Sequence, residues 1–179
     1  MTEPQGEVAM LVAVQSVLAR PGTVATARAL SHFGEHSAGW LAVSAVGALM
    51  QPEKRRQWLL AGAGAFTAHA TAVVIKRVVR RRRPRHPAVE VNVGTPSALS
   101  FPSAHATSTT AAAILMAPLT GLPLPLLVVP PMALSRLVLG VHYPSDVLTG
   151  VAVGAVVAQL VKRAGSRPMS ARAKRRQHR

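Results

Sequence analysis

The chain of 179 residues contains no cysteine. Disulfides, thiolate zinc sites, iron–sulfur clusters and cysteine nucleophiles are therefore excluded. Carboxylates are nearly as scarce, since Asp146 is the single aspartate beside Glu3, Glu7, Glu35, Glu53 and Glu90. Hard cations need several converging oxygen anions, so a carboxylate-rich two-metal centre is not expected. Aromatic residues make up 3% of the chain, few for stacking nucleic-acid bases. What the chain has in excess is positive charge, with 21 Lys and Arg and a net +15. That imbalance implies an anionic partner: nucleic acid, membrane headgroups or a phosphorylated substrate.

The charges are segregated from long apolar stretches. Ala38–Met50, Ala104–Leu134 and Val147–Val161 carry no Lys, Arg, Asp or Glu, and Trp58–Ile75 has only His69 as a titratable group. At 1.5 Å per residue an 18-residue helix covers roughly 27 Å, close to the hydrocarbon core of a bilayer. A soluble bundle would place polar residues on an outer face every third or fourth position, and these segments do not. The expected fold is all-α, a compact transmembrane bundle of about five to six helices with its active site at one membrane face. Six segments are predicted. The first, in two weakly amphipathic pieces (Val8–Leu18 and Thr23–His32), either lies in the interface or helps the second to cross. The others are His36–Met50, Trp58 to about Arg80, Ser103–Pro118, Pro123–Val141 with a bend at Pro130–Pro131, and Ser145–Arg163. Residues 1–35 thus form an N-terminal interfacial part, 36–163 the bundle, and 164–179 a basic tail expected to be disordered. The N-terminus, which opens with two glutamates, does not read as a cleavable signal peptide.

If the last four segments each cross, the ends of the third and fifth emerge where the fourth and sixth begin. Three polar clusters sit at those junctions: Lys76 to Pro84, Phe101 to His105, and Ser135-Arg136 with His142 and Asp146. Lys76 and Arg83 are two helical turns apart, so both can face one phosphate while Pro84 stops the helix. Pro102 and Ser103 open a helix whose free N–H groups suit an anion, with His105 in its first turn. Arg136 adds a guanidinium. Asp146, in the first turn of the last segment, can accept from one ring nitrogen of His142 and leave the other as nucleophile.

Lys-x6-Arg-Pro (Lys76–Pro84), Pro-Ser-x-His (Pro102–His105) and Ser-Arg-x5-His-x3-Asp (Ser135–Asp146) together resemble the type-2 phosphatidic acid phosphatase superfamily. The one visible departure is Ala104, where the family usually has glycine. The resemblance implies an integral-membrane lipid phosphate phosphatase without metal or other cofactor. Lys76, Arg83, Arg136, the Ser103 hydroxyl and the Ala104 N–H would hold the phosphate. His142 would form a phosphohistidine, with Asp146 orienting it and His105 protonating the leaving oxygen.

Singly, each of these residues has a plainer reading: a structural histidine, a membrane-flanking basic cluster, a helix N-terminal aspartate. Their joint occurrence on one face carries the enzyme reading. A basic nucleic-acid-binding protein and an inactive membrane scaffold are the competing classes. His69 reads as a hydrogen-bonded interior histidine. His32, Glu35 and His36 form a polar group without an evident role. Gly150 and Gly154 suit close helix packing inside the bundle. Arg77, Arg80, Arg81, Arg82 and Arg85 exceed the motif and are expected at lipid headgroups or in steering substrate. Lys54, Arg55, Arg56 and the basic residues from Lys162 onward outweigh those of the site face, which places the tail in the cytoplasm, against anionic lipid, and the site outside. The Ala/Arg/Val/Gly-rich composition suggests a GC-rich bacterium and its inner membrane. It favours polyprenyl diphosphate or a polyprenyl-phosphoryl sugar phosphate over phosphatidate or phosphatidylglycerol phosphate.

Overall fold

The computed structural model describes residues 3–166, so the expectations for the basic tail fall almost wholly outside the described residues. The helices are α1 (Gly6–Leu18), α2 (Pro21–Gly34), α3 (Ala38–Met50), α4 (Arg55–Val79), α5 (Ala104–Thr120), α6 (Leu124–Val138) and α7 (Pro144–Gly165). Short 3-10 turns at Glu35–Ser37 and Pro52–Lys54 flank α3. The all-α expectation holds, with seven α-helices among the described residues rather than six segments. Pro21 sits at the start of α2 and has no N–H to continue α1, so the first segment divides; Gly6–Leu18 and Pro21–Met50 meet at 116°. The stretch Pro52–Val79 (28 residues) and α7 (22 residues) are long and apolar enough to cross a membrane. The bent pair supplies a third span if counted as one.

The uncharged α5 is the centre of the bundle, enclosed by α4, α6, α7 and α2. Its small side chains explain why. Membrane helices gain little from apolar burial alone and associate through close packing, which Ala, Gly, Ser and Thr permit. Ala61, Ala65, Ala68 and Ala72 of α4 form one stripe against Ala111, Ala112 and Leu115, and Lys76 ends that stripe at the site. On α7, a Cβ at Gly150 would lie 2.7 Å from the Ser103 carbonyl, and one at Gly154 would strike the Thr107 carbonyl. The pair is therefore an intramolecular packing seam, as the spacing suggested. Buried hydroxyls turn back on the helix, Thr107 to the Ser103 carbonyl and Thr110 to that of Ala106, while Thr109 accepts from the Trp40 indole at 3.0 Å.

Two boundaries differ from expectation. α5 runs through Pro118, which falls in the last turn, and stops at left-handed Gly121, whose N–H bonds to Ala117. α6 ends at Val138, because the chain then turns through Gly140 (φ 69°), where any Cβ would strike the Glu90 carbonyl. α4 ends at Val79, close to the expected Arg80, which caps it in the left-handed region, so the helix stops before Arg83 and is not ended by Pro84. Residues 81–83 are extended instead, and their backbone pairs with 98–100 through Arg83 N–H to Ala98 and Ser100 N–H to Arg81.

Candidate active site

A cavity of about 350 Å³ opens at the end of the bundle where α4 finishes and α5 and α7 begin. Lys76, Arg83, Ala104, His105, Arg136 and His142 all line it. Residues from four separate stretches of chain thus meet as the junction argument required. Arg83 reaches the cavity from the extended segment, not from a continued helix. Its Nε donates to the Ser97 carbonyl at 2.8 Å and its Nη1 to the Val141 carbonyl at 2.6 Å. Lys76, at the buried end of its stripe, donates to the carbonyls of Leu99 and Ser100, which leaves one of its three protons for a ligand. Arg136 is almost fully enclosed; its Nη1 donates to Ser31 Oγ at 2.8 Å, and its Nε has no partner. Orphaned donors on buried cations are costly unless an anion fills the space between them. With Arg77 the wall carries four cations and, from Glu35, one carboxylate.

The two histidines have defined tautomers. Arg83 Nη1 lies 3.3 Å from His142 Nε2, and a guanidinium can only donate, so Nε2 is the acceptor and Nδ1 bears the proton. Nδ1 faces Asp146 Oδ2 at 3.5 Å, longer than a formed hydrogen bond, and has no other partner. Burial first, then the charges of Arg136, Arg83 and Lys76, hold the His142 imidazole well below its ordinary value. Nε2 is therefore an unprotonated nitrogen among cations. Burial also lowers the Arg83 guanidinium, to about 10, so it stays charged. His105 Nε2 lies 2.9 Å from the Ser31 carbonyl; since a carbonyl only accepts, Nε2 is protonated and Nδ1 is left for proton exchange.

Ser103 and Asp146 stand behind the cavity wall. The Ser103 side chain caps α5 by accepting from Ala106 N–H at 3.4 Å, and its own N–H donates to the Asp146 carbonyl at 2.9 Å. Asp146 is fully enclosed. Its Oδ2 accepts from the Tyr143 N–H, and its Oδ1 from Arg81 Nη1 at 3.0 Å. Arg81 is thus corrected from a headgroup contact to a structural partner. Its Nη1 also reaches Ser145 Oγ, its Nη2 pairs with Glu7 of α1 at 2.6 Å, and it stacks on Tyr143. Burial lowers the Arg81 guanidinium, but the Glu7 bond and Asp146 more than offset it. Glu7 closes the ring by accepting from the Ser145 N–H.

Sequence reasoning missed Glu7, Ser31, Arg81 and the 97–100 backbone. Ser31 serves Arg136 through its hydroxyl and His105 through its carbonyl. Gly34, three residues on, admits the His105 ring where a Cβ would lie 2.6 Å from it. Apart from Arg81, none of these lies in the three sequence clusters, and each acts through a neighbour that does. His69, expected to be hydrogen-bonded, has a buried Nδ1 without a partner and lines the cavity. Among the described residues, no group of three or more His, Asp or Glu side chains is placed to hold a metal ion.

Comparison with known proteins identifies the family. The family model described as PAP2 superfamily matches residues 57–169. The decaprenylphosphoryl-5-phosphoribose phosphatase of Mycobacterium tuberculosis (strain CDC 1551 / Oshkosh) is 66% identical over 170 residues, 94% of this chain and 96% of the relative. The protein of the same name from Mycolicibacterium smegmatis is 75% identical over 148 residues, 82% of each chain. A transmembrane PAP2-type phosphatidylglycerolphosphate phosphatase from Bacillus subtilis superposes with a TM-score of 0.69, covering 88% of this chain and 85% of its own. Its 20% identity carries the fold and no substrate. By motif, fold and relatives alike, the chain belongs to the PAP2 superfamily and is a membrane phosphatase.

Proposed function

We propose that the chain removes the terminal phosphate of a polyprenylphosphoryl 5-phosphopentose, at the outer face of a bacterial inner membrane, through a phosphohistidine on His142. The observation that carries this reading is the ring of Lys76, Arg83 and Arg136 around the unprotonated Nε2 of His142, in one cavity with His105. The phosphate oxygens fill the donors left on Lys76 and on Arg136 Nε, with the Ala104 N–H at the start of α5. Nε2 attacks phosphorus, the P–O ester bond breaks, and His105, which carries a second proton on Nδ1 once the phosphate dianion is bound, gives that Nδ1 proton to the departing oxygen. Asp146 steadies the Nδ1 proton as charge develops on the ring. Water, deprotonated by His105, then attacks phosphorus; the P–N bond breaks, inorganic phosphate leaves and His142 returns neutral. The cations do what metal ions do in other phosphatases. Ser103 contributes through the α5 cap that positions Ala104 and His105.

The substrate follows the relatives, which match this chain across 82–94% of its length. Detergent-purified protein is expected to release phosphate from decaprenylphosphoryl-5-phosphoribose in EDTA, faster than from phosphatidate, phosphatidylglycerol phosphate or a polyprenyl diphosphate, and His142→Ala to abolish release. Preference for phosphatidate would overturn the substrate. Inertness on the whole panel, with DNA binding that falls steeply with salt, would overturn the enzyme.

A further inference from the structure

The cavity extends past the phosphate-binding cations to a second group of polar side chains that the chemistry above does not use. His69, Val73 and Lys76 lie on one stripe of α4 and all line the cavity. His69 is two helical turns before Lys76, about 10 Å along the axis. Its ring stands 5.9 Å, centroid to centroid, from that of His36, which is exposed at the cavity opening beside Glu35. Two features show that this arrangement is held in place. His36 (φ 50°) and Ser37 (φ 62°) are consecutive non-glycine residues in the left-handed region, a conformation retained only where the surroundings enforce it. Ser37 is fully buried, with its hydroxyl directed to the Ala65 carbonyl, and that anchor presents His36 to the cavity. His69 Nδ1, for its part, is buried with no hydrogen-bond partner.

We infer that Glu35, His36 and His69 form a leaving-group subsite that takes the hydroxyl groups of a sugar ring attached to the scissile phosphate. Imidazoles both donate and accept, and a carboxylate accepts, which matches vicinal hydroxyls. The Glu35 carboxylate disfavours a second phosphate there, and a diacylglycerol offers no hydroxyl to satisfy His69. The distance from Lys76 leaves room for a phosphate and one pentose ring, with the lipid end continuing into the bilayer. This inference rests on the sugar-phosphate reading above. The test compares kcat/KM on decaprenylphosphoryl-5-phosphoribose with kcat/KM on a sugar-free polyprenyl monophosphate. For His36→Ala/His69→Leu the ratio is expected to fall about 10-fold, the loss of hydrogen bonds made only with the sugar. His69→Asn, whose amide replaces the ring nitrogen, is expected to restore much of it. An unchanged ratio, whether both rates fall together or neither falls, overturns the subsite alone. Wild-type protein that hydrolyses only the sugar-free lipid overturns the substrate reading and the subsite with it.

Discussion

His142 gains its reactivity from what surrounds it. Because burial and three cations keep it unprotonated well below the ordinary imidazole range, its own titration does not limit kcat/KM near neutral pH. Removing a neighbouring cation raises its pKa, so protonation of the nucleophile then begins at higher pH. Arg83→Gln is therefore expected to move the acid limb of kcat/KM upward in pH, and Arg83→Lys to leave it near the wild-type position. A kcat/KM profile from pH 5 to 8 checks this, and coincident limbs for the two variants would contradict it. Ser31 offers a second check at this scale. Ser31→Ala removes the acceptor for Arg136 Nη1 but keeps the carbonyl that orients His105. A lost hydrogen bond to a charged group is worth about 1.5–3 kcal/mol, so kcat/KM is expected to fall roughly 10- to 100-fold. Steady-state kinetics measure it, and wild-type kcat/KM would remove Ser31 from the site.

Helices bring these residues together, and two contacts govern their spacing. The Gly150 and Gly154 seam sets how closely α7 lies on α5, and hence how far Asp146 stands from Ser103. Gly154→Val is expected to cost about 1–3 kcal/mol of stability through overpacking and to lower kcat by shifting His142 relative to His105. Thermal unfolding in detergent together with kcat reads both effects; a variant unchanged in both would contradict the seam. The other contact is the Glu7–Arg81–Asp146 chain. Arg81→Ala leaves a buried carboxylate without its cation and is expected to cost about 2 kcal/mol after allowance for the partial exposure of Arg81. Glu7→Gln is expected to cost under about 1 kcal/mol, because Asp146 keeps its partner. Thermal unfolding of the two variants ranks them. This scale is also where sequence and structure part. Apolar runs and proline positions marked every spanning segment. The end of α4 near Arg80 was legible, but the extended path that brings Arg83 to the site was not, because it depends on residues 97–100 offering Arg81 and Arg83 backbone partners from a distant part of the chain. Arg81 was hidden for a related reason, since one arginine in a run of four looks like any other until Glu7 and Asp146 meet it.

At the scale of the whole molecule, the features legible from the start were the absence of cysteine, the near absence of aspartate and the +15 charge. The motif residues lining the cavity were also legible, because their spacing survives whatever path the backbone takes between them. The supporting residues Glu7, Ser31 and Gly34 were not, because they lie on helices whose approach to the site is decided by packing. The lack of cysteine makes orientation directly measurable. An impermeant thiol reagent is expected to label Arg85→Cys in intact cells and Glu53→Cys only after permeabilisation; the reverse pattern would place the site in the cytoplasm. The central claim, a histidine nucleophile held by cations, is tested most directly by rapid acid-free quenching with substrate labelled in the terminal phosphate. The account predicts a transient label that is acid-labile, alkali-stable, confined to His142 and absent in His142→Asn. Full turnover without a labelled enzyme, or a label on any other residue, would contradict it.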